Sequence, residues 1–169
     1  AAMATPFLLG LGFSNTEIGL VNKNVGIAAT IVGALGGGAI VGRVGLPRPL
    51  VAFGIAVPLS SALWAALAVA GKSHALFVVT VAVHDALVGG AIAALEAFIL
   101  TVCNRRYGAT QYALLSAAAG LAGRLAAAPS GAIAARLGWP VFFAASCVAG
   151  LTALALTFAA PLDCLQRKR

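Results

Sequence analysis

Charge is what this sequence has least of. Only 9% of its 169 residues are Asp, Glu, Lys or Arg, where about a quarter is usual for a soluble domain. A soluble fold of this length has far too few charges here to cover its surface. The same scarcity excludes intrinsic disorder, which needs low hydrophobicity and high charge; here 62% of the residues are hydrophobic and the mean hydropathy is +1.03. Acids are scarcest of all, four against eleven Lys and Arg, for a net charge of +7. Such an excess invites nucleic acid, but the basic residues stand singly or in small groups between apolar runs, with no basic face interleaved with aromatics. Nucleic acid is therefore excluded as a partner. Cysteine is equally sparse: Cys103, Cys147 and Cys164 are odd in number and scattered, which gives neither a disulfide framework nor a zinc ligand set. His74 and His84 lie ten residues apart with no clustered Cys or Glu, so no metal and no cofactor are expected. What remains is an all-α polytopic membrane protein.

A helix needs about 20 mainly apolar residues to cross the hydrocarbon core. Five stretches qualify, at about 15–42, 49–70, 75–103, 111–136 and 139–160. The opening run, 1–11, would reach only about 16 Å as a helix. It has no initiator Met and no basic flank, which makes a poor signal peptide; it is read as the tail of a helix that begins upstream, and the chain as a piece of a longer protein. Ser14-Asn15-Thr16-Glu17 has the spacing of a capping box, a hydroxyl followed three residues later by a carboxylate. Gly108 to Gln111 repeats that spacing with Gly in the capping place. Trp139, Tyr107 and Tyr112 fall at span ends, where amphipathic rings favour the interface.

The basic residues orient the chain. With the C-terminal tail 161–169 in the cytoplasm, Arg43, Arg48, Arg105, Arg106, Arg167, Lys168 and Arg169 lie inside, Lys72 and Arg136 outside, and Lys23 and Arg124 within spans. The inverse arrangement would place those seven outside, against the positive-inside rule.

Five ionisable residues fall inside the spans: Lys23, His84, Asp85, Glu96 and Arg124. Each costs about 2.5–3.5 kcal/mol at the bilayer centre on insertion scales, so each needs an account. Asp85 and Glu96 are eleven residues apart, about 20° out of register and about 16 Å apart along one helix. Arg124, on the neighbouring antiparallel helix, falls at a depth between them. Such an acid–base–acid column passes a proton or locks helix packing, and the residues alone leave both open. His84 projects about 100° from Asp85, so the adjacent pair is not one site; it is a packing residue or a titrating one. Lys23 either snorkels to the interface or attracts an anionic group. The rows Gly33 to Gly37, Gly38 to Gly42 and Gly89-Gly90 permit close helix approach, and Pro58 and Pro129 kink their helices.

One repeat is visible. Gly38-Ala39-Ile40-Val41-Gly42-Arg43-Val44-Gly45 recurs as Gly131-Ala132-Ile133-Ala134-Ala135-Arg136-Leu137-Gly138, with six identities in eight positions. The copies lie three spans apart, on opposite sides of the membrane, as an inverted three-helix repeat of a secondary transporter requires.

The segment from Gly38 to Arg48, through Arg43 and Gly45, resembles the cytoplasmic signature of the major facilitator superfamily, with Gly42 where an Asp often stands. Four further segments resemble the AmpG-type muropeptide permeases: Gly12-Phe13 through Glu17-Ile18-Gly19-Leu20-Val21-Asn22-Lys23, Ala29-Thr30-Ile31-Val32-Gly33-Ala34, Cys103-Asn104-Arg105-Arg106-Tyr107 through Thr110-Gln111-Tyr112-Ala113-Leu114-Leu115-Ser116, and Gly138-Trp139-Pro140. The resemblance runs in order along almost the whole chain. It implies the C-terminal six-helix half of a facilitator, helices 8 to 12 with a stub of helix 7, docking on an N-terminal six-helix half in a bacterial inner membrane. It also implies proton-coupled import of anhydro-muropeptides, the GlcNAc-anhydro-MurNAc peptides of cell-wall recycling. His84-Asp85 stands where the family leads one to expect Glu-Asn, and Glu96 where an apolar residue is expected, so the proton carrier is left open among them. The alternatives are a facilitator of another solute, acetyl-coenzyme A-like or drug-like, and a non-transporting subunit. A membrane enzyme needs a nucleophile with a base at one depth, and neither Ser116 nor Ser130 has a matching His.

Overall fold

The computed structural model describes residues 3–104 and 107–159. The regular elements among them are all helical: α1 (Ala4–Gly10), α2 (Asn15–Leu20), a π-helical segment (Val21–Gly26), α3 (Ile27–Val44), α4 (Pro47–Ala70), α5 (His74–Val102), α6 (Gly108–Ala127), α7 (Ser130–Leu137) and α8 (Trp139–Ala159). Arg105, Arg106 and the tail 161–169 lie outside the described residues. The segment from α2 to α3 is one continuous rod, Asn15–Val44, and with α4 and α5 it makes, among the described residues, three helices long and apolar enough to cross a membrane. The chain is an all-α polytopic membrane structure.

Local chemistry sets the ends. Ser14 caps α2 by both arms of the box: its hydroxyl accepts from the Glu17 amide at 3.2 Å, and its own amide donates to Glu17 Oε2 at 2.7 Å. The second box does not form. Tyr107 is the N-cap of α6 without a side-chain cap, and Gln111 Oε1 instead accepts from the Asn104 amide at 2.6 Å, beyond the cap, because Gly108 has no side chain to reciprocate. Both copies of the repeat end a helix on a glycine in the same left-handed conformation: Gly45 has φ 85° and Gly138 has φ 77°. Only glycine enters that region without a Cβ penalty. The next helix then starts within two residues, with Pro47 and Pro140 inside its first turn, where a missing N–H costs nothing.

The stretch 111–136 is two helices, not one. α6 stops at Ala127 and α7 starts at Ser130 on Pro129 as its N-cap, since the proline ring cannot continue the ladder. Pro58, by contrast, stays inside the continuous α4, its ring packed where a Cβ on Gly150 of α8 would sit 2.6 Å away.

Two seams hold the bundle. Lipid tails are as apolar as leucine, so helices associate in a bilayer through close backbone approach rather than hydrophobic transfer. The α3–α5 seam is of that kind: a Cβ on Gly33 would lie 1.9 Å from the Ala86 carbonyl oxygen, on Gly37 2.6 Å from Gly90 Cα, and on Gly89 2.2 Å from the Thr30 carbonyl oxygen. Gly38 and Gly42 have nothing within 4 Å, so that row seams no helices here. It lies on the face of α3 turned away from α5. The second seam is aromatic. Phe7 of the short α1 sits 5.0 Å from Phe143, 5.2 Å from Trp139 and 6.3 Å from Trp64, ring centre to ring centre. Trp139 is therefore a half-buried packing residue, because α1 docks onto it.

Candidate functional site

The five ionisable residues within the spans do not converge. The structure distributes them over four neighbourhoods, each dictated by which helix α5 meets at that level.

His84 lines a cavity. This opening of about 350 Å³ lies between α4, α5, the α6–α7 break and α8, lined by Trp64, Ser61, Ser130, Phe142 and Phe143 among others and bordered at α1 by Met3 and Ala4. His84 Nδ1 lies 2.7 Å from Ser60 Oγ, and the same hydroxyl donates to the Val57 carbonyl at 2.6 Å. A hydroxyl has a single proton, so with that proton on Val57 the imidazole donates through Nδ1–H and keeps Nε2 as the acceptor. Trp64 meets the imidazole edge-on, ring centres 6.0 Å apart. No carboxylate lines the cavity. The walls are apolar and aromatic, with a few hydroxyls and one imidazole.

Asp85, one residue on, faces the other way. A Cβ on Gly26 would lie 2.7 Å from Asp85 Oδ2, so the carboxylate fills the space that glycine leaves at the end of the π-helical segment. Asp85 is half-buried and makes no hydrogen bond or ion pair among the described residues. The π segment carries Asn22, Lys23 and Asn24, all exposed, and the Gly26 carbonyl accepts the Thr30 hydroxyl at 2.8 Å. A π turn inside an α-helical rod loosens the ladder and recurs at functional sites. Here it lies across from an unpaired acid.

Glu96 is joined to α6. Tyr112 donates its hydroxyl to Glu96 Oε2 at 2.6 Å, a pairing that its place at a span end does not suggest. Arg124 is exposed and pairs with neither acid, so the acid–base–acid column is absent. The reason is tertiary: α6 meets α5 near the α5 C-terminus, where Tyr112 rather than Arg124 comes within reach of Glu96. Arg43 and Arg48 are exposed on either side of Gly45, which closes α3.

A cluster that the sequence does not announce closes the opposite end of α5. Glu17 Oε1 lies 2.8 Å from His74 Nε2 and Glu17 Oε2 3.7 Å from Lys72 Nζ. Lys72 also donates to the Gly12 carbonyl at 2.7 Å and sits 5.2 Å above the Phe13 ring. Phe13 is buried against Phe77 and His74. The acid of the capping box thus ties the α1–α2 turn to the α4–α5 turn. The partners are about 60 residues apart in sequence, which is why only the local half of this cluster is legible beforehand. Among the described residues no three His, Cys, Asp or Glu come together as a metal site.

No family model matches the chain. Curated proteins do. It is 38% identical over 158 residues to an anhydromuropeptide permease of Escherichia coli, covering 92% of this chain and 32% of that protein. It is 33% identical over 153 residues to a putative AmpG transporter of Rickettsia conorii, covering 90% of this chain and 37% of the relative. A third relative, a putative AmpG transporter of Rickettsia prowazekii, is 34% identical over 141 residues, 83% of this chain and 32% of its own length. The chain spans about a third of the length of the curated relatives it matches.

Proposed function

We propose, from a chain that is AmpG-like over nine tenths of its length, that it forms part of a bacterial inner-membrane permease that imports anhydro-muropeptides together with protons, the proton gradient driving their accumulation. The observation that carries the substrate class is the 38% identity to a protein named for that substrate. What supports proton coupling is narrower: Asp85 is a half-buried acid beside a π segment, without a partner among the described residues, and Glu96 is a half-buried acid that accepts the Tyr112 hydroxyl. An acid kept inside a span at the cost of desolvation is the ordinary mark of an ion or proton path.

In this reading the chain is a helix 8 to 12 region of a facilitator. An N-terminal six-helix half would dock on it, the two copies of the Gly-Ala-Ile repeat would be related by inversion, and the C-terminus would be cytoplasmic. Lys23, exposed in the π segment with Asn22 and Asn24, would meet a substrate carboxylate at the interface of the two halves. Substrate sites of such carriers lie between repeats near the midplane, where broken helices line water.

The test is uptake of labelled GlcNAc-anhydro-MurNAc tripeptide by membrane vesicles carrying the full-length gene product. Accumulation should collapse with a protonophore. Asp85→Asn or Glu96→Gln should lose accumulation while counterflow exchange persists, depending on which acid carries the proton. Full accumulation in both variants would move coupling away from this chain, and absence of any muropeptide uptake by the unaltered protein would end the reading.

A further inference from the structure

The ladder of the π segment shows where its extra residue sits. The Val21 amide donates to the Glu17 carbonyl, four residues back, and the Ile27 amide to the Asn22 carbonyl, five back. Between those two bonds the rod holds one residue more than an α-helix needs. The five-residue step stacks Val21 over Gly26, and Val21 is half-buried against the core while Asn22, Lys23 and Asn24 are exposed. In an α register the neighbours of Gly26 on the side toward α2 are the residues three and four before it, Lys23 and Asn22. That position adjoins Asp85, whose carboxylate fills the space at Gly26. Lys23 and Asp85 are thus opposite charges with no partner among the described residues, kept apart by a single residue of register. We propose that Val21–Gly26 is a register switch: its π form turns Lys23 away from α5, and an α form pairs Lys23 with Asp85.

Two anchors keep the π form. Absorbing the surplus residue turns α2 by about 100° against α3. α3 cannot turn, because Gly33 and Gly37 lie directly against the α5 backbone. α2 cannot turn either, because Glu17 is held by His74 at 2.8 Å and by Lys72 at 3.7 Å. Those partners belong to the α4–α5 turn, and a rotation of α2 by 100° carries Glu17 out of their reach. The switch therefore joins the cluster at the end of the bundle to the acid inside the span: opening the first closes the Lys23–Asp85 pair. Its place in a transport cycle rests on the reading above, in which the π form presents Lys23 to a ligand and the α form withdraws it.

Cysteine cross-linking of the full-length gene product in nanodiscs, with its native cysteines replaced by alanine, reads the register without substrate. Val81 flanks Gly26 on α5, so Val21→Cys with Val81→Cys reports the π form and Asn22→Cys with Val81→Cys the α form. The otherwise unaltered chain should favour the first pair. Glu17→Ala should shift the yield to the second, and Glu17→Gln, which keeps the cap, should shift it the same way. Adding Lys23→Met should then lower the second yield about threefold, which is what one partly solvated ion pair contributes. Deletion of Asn24 removes the surplus residue; the protein should stay folded and monodisperse, with both yields indifferent to Glu17→Ala. A deletion variant that fails to fold overturns the proposal, because no residue is then surplus. Yields that ignore both Glu17 substitutions overturn it as well, and a shift that survives Lys23→Met undiminished overturns the pairing with Asp85. If the cross-links behave as stated and no muropeptide enters vesicles, the transport reading fails while the switch stands.

Discussion

At the scale of single residues, the polar side chains of this molecule are costly to bury and each has been given a different solution. His84 is held through its Nδ1 by Ser60, itself only 5% exposed. Ser60→Ala should leave that nitrogen without a partner and cost about 1–3 kcal/mol, read as a lowered unfolding temperature of the full-length protein in detergent. Ser61→Ala, on the same cavity wall but without that bond, should stay within about 0.5 kcal/mol. Glu17 is solved differently, by an amide, an imidazole and an ammonium at once. Glu17→Gln keeps a capping oxygen and removes the charge. It should lower thermal stability in low salt and matter less in high salt, because exposed ion pairs are screened; an effect independent of salt would mean that the cap alone counts.

At the scale of elements, glycine decides what may touch what. Gly33 lies against the Ala86 backbone, with no room for a Cβ, while Gly38, five residues along the same helix, faces open space. Gly33→Ala should force α3 and α5 apart at about 1–3 kcal/mol or more. Gly38→Ala should be neutral or slightly stabilising, since alanine is the better helix former. Folded yield from membranes distinguishes them, and equal tolerance would contradict the seam. A small-residue row marks a face on which helices can approach. Which row finds a partner depends on where the neighbouring helix runs, and here α5 takes Gly33 and Gly37 while leaving Gly38 and Gly42 bare.

At the scale of the whole molecule, one surface is conspicuously apolar. Leu35 is 71% exposed, Val32 68% and Ile31 54%, all on the α3 rod that also carries the bare glycines. In the proposed architecture this face receives the other half. The chain purified alone should then be poorly soluble in mild detergent and should not support uptake, and coexpression with the upstream half should restore both. Uptake by the isolated chain as a monomer would contradict it.

Much was decided within the sequence. A mean hydropathy of +1.03 leaves a bilayer as the only solvent for most side chains, and such a solvent requires the backbone to satisfy itself in helices. The Ser14–Glu17 box and the terminating glycines Gly45 and Gly138 were legible because the atoms involved lie within a few residues of one another. So was the break at Pro129, although a kink rather than two helices was the expectation. The phase of Asp85 and Glu96 along α5 was legible too, since 3.6 residues per turn is a local property. Their partners were not. That Asp85 meets Gly26, that Glu96 meets Tyr112 instead of Arg124, and that Glu17 reaches His74 all depend on how far each helix runs before its neighbour crosses it. Those distances are set by the glycine seam, the aromatic packing around Phe7 and the divided α6–α7 arm, which are contacts between residues far apart in the chain. Periodicity fixes the angle of a side chain about its own axis; only packing decides what stands opposite.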